Sequence, residues 1–168
     1  IPTLVVDGGG RQQLAFVHAD SPGLKVIDDW SGFGQRTTGS GTSVYDNVPL
    51  PATHVIPFEQ RFKYQTAFYQ LVLLAVLAGI GRAVERDIAQ EVRDRKRVFS
   101  HGNAGSVSQD SQVQQVVGQI AAQVYAAEAA TLRSAEPLQR AYVARFGNDP
   151  QREKDANIAA EIETAKAQ

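Results

Sequence analysis

The chain has 168 residues, a formal net charge of -1 and an ordinary globular composition, with 43% hydrophobic and 21% charged residues. This length suits one domain or two small ones, and the near-neutral charge gives no electrostatic argument for a nucleic-acid or membrane partner. Cysteine is absent, which excludes disulfides and thiolate chemistry. The first residues carry neither a basic region nor an apolar run typical of a secretion signal, so we expect a cytoplasmic protein.

The first 58 residues alternate short apolar runs with turn signals, a pattern typical of β structure. Strands are predicted at residues 4–6, 14–17, 24–27 and 42–48. The first two are separated by the turn sequence Asp7-Gly8-Gly9-Gly10. Prolines after residue 48 then end the sheet pattern, because proline cannot donate to a β ladder.

Residues 59–168 are predicted to be helical. One long helix is expected from about Phe62 to Phe99, where proline is absent. Its most apolar run, residues 71–78, is far shorter than the roughly 20 residues that span a bilayer, so we predict a helix buried on all sides.

Two further helices are predicted after a Gly/Ser/Asn-rich loop. One begins near Asp110 and is expected to be interrupted at Pro137, because the residue before a proline disfavours the α region. The last follows the turn ending in Pro150, with Ile158 and Ile162 predicted to face inward.

The expected fold class is therefore α+β, with a β unit at residues 1–58 and a helical unit at residues 59–168. A few strands with no helix covering them would leave an unclosed sheet edge. We therefore expect the chain to be the C-terminal part of a longer protein. The alternative is a complete small α+β protein.

Several common site types are not indicated by the residues. The three histidines are scattered without a ligand pair at i, i+4, so no metal site is predicted. No serine lies in a G-x-S-x-G motif. The glycine-rich stretches at residues 8–10 and 39–41 do not open a helix after a strand, so they are predicted to be turns rather than dinucleotide-binding loops.

Two features allow a structural and a functional interpretation. The basic cluster at residues 93–97 could complement the dipole at the carboxyl end of the long helix, or it could bind an anion such as a cofactor phosphate. Its spacing by itself favours the dipole interpretation. Trp30, the only tryptophan, could anchor a core or form a flat wall against a planar ring.

The segment at residues 28–51, DDWSGFGQRTTGSGTSVYDNVPLP, resembles the acyl-CoA dehydrogenase-like flavin monooxygenases, especially the dibenzothiophene monooxygenase type. The shared features are Asp29-Trp30, then Gly34-Gln35-Arg36, Ser40-Gly41-Thr42 and Asp46-Asn47-Val48. The resemblance implies the end of a middle β-barrel domain followed by part of an acyl-CoA dehydrogenase-type C-terminal helical bundle. It also implies a homo-oligomer, expected to be a tetramer.

The resemblance also implies a cofactor site after the long helix. Arg97 matches the arginine that contacts the flavin phosphate in the monooxygenase type. Lys96 stands where acyl-CoA dehydrogenases have their arginine, and Ser100 stands where they have a glycine, which is a departure. Phe99 lies between them and is expected beside the phosphate. The resemblance therefore favours anion binding by the basic cluster over the dipole interpretation.

Two more residues are assigned by the resemblance. Trp30 matches the tryptophan near the flavin and substrate pocket, and Gln112 stands where the family has a glutamine near the flavin. The aromatic residues Phe62, Tyr64 and Phe68 are expected as neighbours of the pocket. No catalytic residue is assigned, because the family's proton-handling histidines match no part of this chain.

The implied function is a monooxygenase that uses O2 and reduced FMN from a separate flavin reductase on a small organosulfur or aromatic substrate. One alternative is an FAD-dependent acyl-CoA dehydrogenase, although no carboxylate lies between residues 60 and 84 to act as a base. Another alternative is a non-catalytic helical assembly module. The isolated chain is expected to be inactive.

Overall fold

A computed structural model of the chain describes residues 1–168, which divide into two compact units, Ile1–Arg61 and Phe62–Gln168. The first unit contains the strands and the second contains the long helices. The mixed α and β composition agrees with the sequence-based expectation, but the strands form no closed barrel.

The first unit contains two small antiparallel sheets. One has the strand order β1-β2-β5, and the other pairs β3 with β4. The four predicted strands are present, and a fifth, with Pro57 at its end, pairs with β2 at the sheet edge. The bounds are β1 Pro2–Val6, β2 Gln12–Phe16, β3 Leu24–Ile27, β4 Thr42–Tyr45 and β5 Val55–Pro57.

The turn between β1 and β2 is organised by Asp7. Its carboxylate accepts hydrogen bonds from the backbone N–H groups of Gly9 and Arg11, each at 2.9 Å, and from the side chains of Arg11 and Gln13. The N–H of Arg11 is the largest of the causes that lower the pKa of Asp7 from 3.8 to about 2. Gly10 follows with a φ of 79°, a conformation that glycine adopts at little cost.

The second unit contains three helices, and α2 packs against both α1 and α3. The core of the unit combines alanines from all three helices with Leu138 of α2. Gly81 of α1 allows close helix contact, since a Cβ there would lie 3.3 Å from Val124 of α2. The bounds are α1 Gln65–Asp94, α2 Ser111–Ala144 and α3 Pro150–Ala167.

The expectation that α1 is buried on all sides is wrong within this chain. Its buried residues form one narrow stripe, Ala67, Leu74 and Ala78, which recurs at helical spacing. The opposite side is apolar and exposed. Its exposed residues are Tyr69, Val72, Leu73, Val76, Leu77, Ile80 and Val84, which we call the α1 apolar face.

By length and composition, α1 is also able to cross a membrane, since its most apolar 18-residue window has a mean hydropathy of 1.8. One such helix is weak support for a membrane protein, because core helices of soluble proteins meet the same criterion. Only 11% of that window is buried, so the apolar sequence of α1 is not explained by packing inside the chain.

The predicted interruption of α2 at Pro137 is also wrong, because the helix continues to Ala144. Proline within a helix costs about 3 kcal/mol through a lost hydrogen bond and a steric clash. Here the ring of Pro137 is fully buried. One turn earlier, the Ser134 hydroxyl shares its proton between the carbonyl of Ala130 in its own helix at 2.9 Å and the carbonyl of Glu163 in α3 at 3.1 Å. Packing against α3 therefore outweighs the local preference.

The inward face of α3 differs from the prediction. Ile158 and Ile162 are 45% and 49% exposed, whereas Asn157, Ala160 and Thr164 are buried. Small side chains on this face permit close packing on α2, and the Thr164 hydroxyl bonds to the helix's own backbone at 2.8 Å. The predicted start at Pro150 is confirmed, with Asp149 as the N-cap.

Candidate functional site

Most of the basic cluster lies after the end of α1, since only Arg93 is in the last turn of the helix, whereas Arg95, Lys96 and Arg97 follow it. The helix was predicted to reach Phe99, but it ends at Asp94, and Arg95 has an extended conformation with φ -66° and ψ 115°. Continuing the helix would place the like charges of Arg93 and Arg97 at i, i+4, which is unfavourable. Arg95, Lys96 and Arg97 therefore belong to a segment without α-helix, residues 95–110, which we call the α1–α2 connection.

The α1–α2 connection and the adjoining helix ends enclose a cleft of about 390 Å³ within the second unit. Its volume is within the range of about 300–1,000 Å³ found for small-molecule sites. Its polar residues come mainly from the connection, and its apolar residues come from the connection and from both helices. The lining residues of this α1–α2 cleft are Ile88, Glu91, Val92, Arg95, Arg97, Val98, Phe99, His101, Gly102, Val107, Asp110, Gln112 and Val113.

The cleft combines cationic and acidic groups. Arg95 and Arg97 both line it and are exposed, and neither takes part in any ion pair of the chain. Their guanidinium groups are thus free of carboxylate partners and can donate to an anion. Glu91 and Asp110 are the two carboxylates of the lining.

Asp110 is held by hydrogen bonds from two directions. Its Oδ1 accepts from the backbone N–H groups of Gln112 at 2.9 Å and Val113 at 3.5 Å, which caps α2. Its Oδ2 accepts from the backbone N–H of Asn103 at 3.1 Å. These bonds, that of Asn103 first, lower the pKa of Asp110 and keep its carboxylate ionised at neutral pH.

The structure brings together some, but not all, of the site residues expected after α1. Arg97, Phe99 and Gln112 line the α1–α2 cleft, whereas Lys96 and Ser100 belong to the same connection but do not line it. His101 and Asp110 line it although they were not predicted to. His101 was not predicted because the three histidines are scattered along the sequence. Asp110 was recognised only as the start of a helix.

Trp30 belongs to the first unit, in the loop between β3 and β4. Its indole Nε1 donates to the carbonyl of Gly34 at 2.9 Å, and its side chain remains 43% exposed. Gly32 lies against the ring, since a Cβ there would come within 2.2 Å of the indole. The loop therefore holds the indole in one orientation with part of its surface accessible. It is not a core anchor of this unit.

The base of the same loop is closed by Asp29. Its carboxylate accepts from the backbone N–H of Thr42 at 2.8 Å and from the Thr42 hydroxyl at 2.7 Å. The Thr42 hydroxyl is the largest cause of the lowered pKa of Asp29. Gly41 permits this closure, because a Cβ at its φ of 158° would meet the carbonyl oxygen of Ile27 at 2.4 Å.

The predicted aromatic neighbours form a cluster at the start of α1. Phe62 lies 4.8 Å from Tyr64 with the rings tilted by 44°, and it lies edge-on to Phe68 at 6.1 Å, measured between ring centroids. The cluster continues to α2, where Tyr64 meets Tyr142 edge-on at 6.4 Å. Within the second unit these rings therefore join the two helices.

No protein-family model matches the chain. Among curated proteins it is similar to L-evernosamine nitrososynthase of a Micromonospora species, with 35% identity over 89 residues, 49% of this chain and 21% of that protein. It is 28% identical to dibenzothiophene monooxygenase of Mycolicibacterium goodii over 152 residues, 82% and 37% of the two chains. A probable FMNH2-dependent monooxygenase of Pseudomonas putida, SfnC, is 23% identical over 94% of this chain and 41% of its own length.

Solved structures share the fold over 99% of this chain. Indole-bound TdsC from Paenibacillus sp. A11-2 has a TM-score of 0.80 and 22% identity, with 46% of TdsC covered. Methanesulfinate monooxygenase MsuC from Pseudomonas fluorescens also has a TM-score of 0.80, with 17% identity and 44% of its chain covered. At these identities the structural matches establish the fold.

The fold is that of the acyl-CoA dehydrogenase-like flavin monooxygenases, of which this chain matches a part. Its homologues and structural neighbours include dibenzothiophene monooxygenases, which confirms the resemblance recognised in residues 28–51. The chain spans less than half the length of the curated relatives it matches.

Proposed function

We propose that the chain is part of a monooxygenase that uses reduced FMN and O2 to oxygenate a small organosulfur or aromatic substrate. The single observation that carries this proposal is the α1–α2 cleft, which Arg97, Phe99 and Gln112 line together. Support comes from the dibenzothiophene monooxygenase and SfnC similarities, which extend over 82% and 94% of the chain.

The residues of the cleft fit the phosphate end of a flavin. Arg97 and Arg95 have no ion-pair partner. They line the same cavity as apolar residues that include Val92 and Val113. We propose that Arg97 holds the phosphate, with Phe99 and Gln112 beside it and with Lys96 and Ser100 in supporting positions. Reduced FMN, supplied by a flavin reductase, would provide the activation of O2.

The proposed role of Trp30 is to form a flat wall for the substrate or the flavin ring. Its indole is oriented by the bond to Gly34 and partly exposed, as such a role requires. The chain's own residues would therefore bind and orient, while no residue of this chain is assigned a proton-transfer role.

We further propose that the first unit is the second half of a middle β domain and that the second unit is part of a helical bundle that assembles with other copies. The α1 apolar face supports this assembly, because an exposed apolar surface of this kind marks an interaction site. The expected assembly is a homotetramer, located in the cytoplasm. In that setting a second copy would cover α1.

A second candidate function is the oxygenation of an amino group on a sugar. It is favoured by the 35% identity to a nitrososynthase over 89 residues. Dehydrogenation of an acyl-CoA with FAD is less favoured, because the start of α1 contains no carboxylate to act as a base. Product analysis with a thiophene, an amino sugar and an acyl-CoA separates the three activities.

The cofactor role is tested by anaerobic titration of the full-length protein with reduced FMN. The Arg97→Ala variant is expected to bind roughly ten- to a hundredfold more weakly, the loss typical of a hydrogen bond to a charged group. The matched control is Arg86→Ala, since Arg86 pairs with Asp87 on α1 outside the cleft. Equal affinity of the Arg97→Ala variant and the wild type would refute the phosphate role.

A further inference from the structure

The two oxygens of the Asp110 carboxylate serve different parts of the chain. Oδ1 bonds to the first turn of α2 through the N–H groups of Gln112 and Val113. Oδ2 bonds to the N–H of Asn103, seven residues earlier in the α1–α2 connection. A residue that only capped the helix would need the first of these interactions alone.

The bond to Asn103 has a particular place in the connection. The half of the connection that carries Arg97 and Phe99 is joined to α2 by this hydrogen bond alone. The remaining links run from the N–H of Gln114 to the carbonyl of Asp110 and from the Gln114 side chain to the carbonyl of Ser108, each at 2.9 Å, and they reach only the later half. Gly102 is bonded locally to Phe99, so holding Asn103 also restrains the turn that begins at Phe99.

We propose that Asp110 is a positioning residue of the α1–α2 cleft, which fixes the segment carrying Arg97 against the helix start carrying Gln112. It acts through these two residues and does not itself bind the cofactor, because a carboxylate would repel a phosphate. Three backbone N–H groups already offset its charge. The ligand in this proposal rests on the proposed FMN site, whereas the tether is a property of the chain itself.

The low pKa of the carboxylate agrees with this role. The N–H of Asn103 is the largest cause of the lowered pKa of Asp110, ahead of the N–H groups of Gln112 and Val113. The carboxylate is therefore ionised, and both oxygens accept hydrogen bonds, throughout the neutral range.

Asp110→Asn separates the tether from the helix cap. Asparagine is as good an N-cap as aspartate, but its carboxamide has one acceptor oxygen instead of two. The single oxygen can therefore accept hydrogen bonds from the first turn of α2 or from the N–H of Asn103, but not from both. The matched control is Asp149→Asn, because Asp149 caps α3 through the N–H groups of Gln151 and Arg152, each at 3.0 Å, and does not line the α1–α2 cleft.

Two measurements on the full-length protein test the proposal. Hydrogen exchange without flavin is expected to be roughly tenfold faster at the Asn103 amide in the Asp110→Asn variant, with the amides in the middle of α2 unchanged. Reduced FMN is expected to bind that variant roughly tenfold more weakly, whereas Asp149→Asn stays within about twofold of the wild type.

The outcomes are distinguishable. Unchanged exchange at Asn103 in the Asp110→Asn variant would overturn the tether. If the Asn103 amide of the Asp110→Asn variant exchanges faster but the variant binds reduced FMN as tightly as the wild type, the positioning role is overturned. If the wild-type protein binds no reduced FMN, the proposed function fails, and the exchange data then decide the tether independently.

Discussion

Thr42 donates two hydrogen bonds to the carboxylate of Asp29, one from its backbone N–H at 2.8 Å and one from its hydroxyl at 2.7 Å. The pair closes the base of the loop that carries Trp30, one residue after Asp29. The orientation of the Trp30 indole therefore depends on the side chain of Thr42, which lies at the start of β4, twelve residues after Trp30.

Thr42→Val is expected to loosen this loop, because valine keeps the β-branched shape but lacks the hydroxyl that donates to Asp29. Trp30 is the only tryptophan of the chain, so fluorescence excited at wavelengths that the five tyrosines do not absorb reports on this loop. We expect a red-shifted emission maximum and stronger acrylamide quenching. Thr3→Val is the control, since the Thr3 hydroxyl pairs with Tyr45 instead. A Thr42→Val spectrum identical to that of the wild type would show that the hydroxyl does not hold the loop.

The core of the helical unit is tested by two leucines of α2. Leu138 is 8% exposed and packs in the core, so Leu138→Ala is expected to lower the free energy of unfolding by about 2–5 kcal/mol. Leu132 is 73% exposed, and Leu132→Ala is expected to stay within about 0.5 kcal/mol of the wild type. Urea unfolding followed by circular dichroism measures both. Equal losses would contradict the packing described for α2.

Assembly through the α1 apolar face is tested by Leu77→Asp. Leu77 is 64% exposed in the chain, so the substitution is expected to leave the helix content unchanged. Burying an unpaired carboxylate between two copies is costly, and we therefore expect a shift toward smaller species in sedimentation velocity. The circular dichroism spectrum is the control for folding. An unchanged distribution of species would exclude this face as the interface between copies.

The β1–β2 turn is expected to show a specific pH dependence. Because the folded-state pKa of Asp7, about 2, lies below its ordinary value of 3.8, ionised Asp7 stabilises the folded unit at neutral pH. This contribution is lost as the pH falls through the window between the two values. We expect Asp7→Asn to lower the Tm at pH 7, with a smaller difference at pH 2.

The same prediction can be checked directly by NMR titration of the Asp7 carboxyl carbon. A midpoint near 3.8 would show that the hydrogen bonds from Gly9, Arg11 and Gln13 do not hold the ionised form. Asp20→Asn is a suitable control for the Tm comparison, because the Asp20 side chain is exposed and accepts no backbone hydrogen bond.

Short-range features were predicted most successfully. The strands and the turn at Asp7 follow from residues close in sequence, and so do the helix starts at Asp110 and Pro150. In each case the deciding interaction is local, such as a side chain capping the N–H groups two or three residues later. The resemblance of residues 28–51 to flavin monooxygenases was likewise recognised from a continuous segment.

The errors concern choices that depend on distant residues. Pro137 indicated a break, but burial against α3 keeps α2 continuous. Ile158 and Ile162 indicated the inward face of α3, but the face that is buried carries the smaller side chains of Asn157, Ala160 and Thr164. Apolar periodicity cannot reveal which of two competing faces finds a partner, since that depends on where the other helices lie.

The candidate site likewise combines features that were predicted from the sequence with features that depend on distant residues. The residue types and spacing around Arg97 favoured the dipole interpretation, and only the resemblance implied a phosphate site that includes Phe99 and Gln112. In the structure Arg97, Phe99 and Gln112 line one cleft, whereas Lys96 and Ser100 do not line it. The end of α1 at Asp94 decides this outcome, because it turns the basic residues from a helix surface into an irregular connection.

The sequence by itself thus determined the α+β class and the order of the elements, since these depend on composition and on neighbours in the chain. The tertiary structure alone decided that α2 passes through Pro137, that the α1 apolar face is left uncovered in this chain, and that Asp110 joins Asn103 to a helix start. Those outcomes arise from contacts between residues brought together by folding, whose packing energy exceeds local conformational preference.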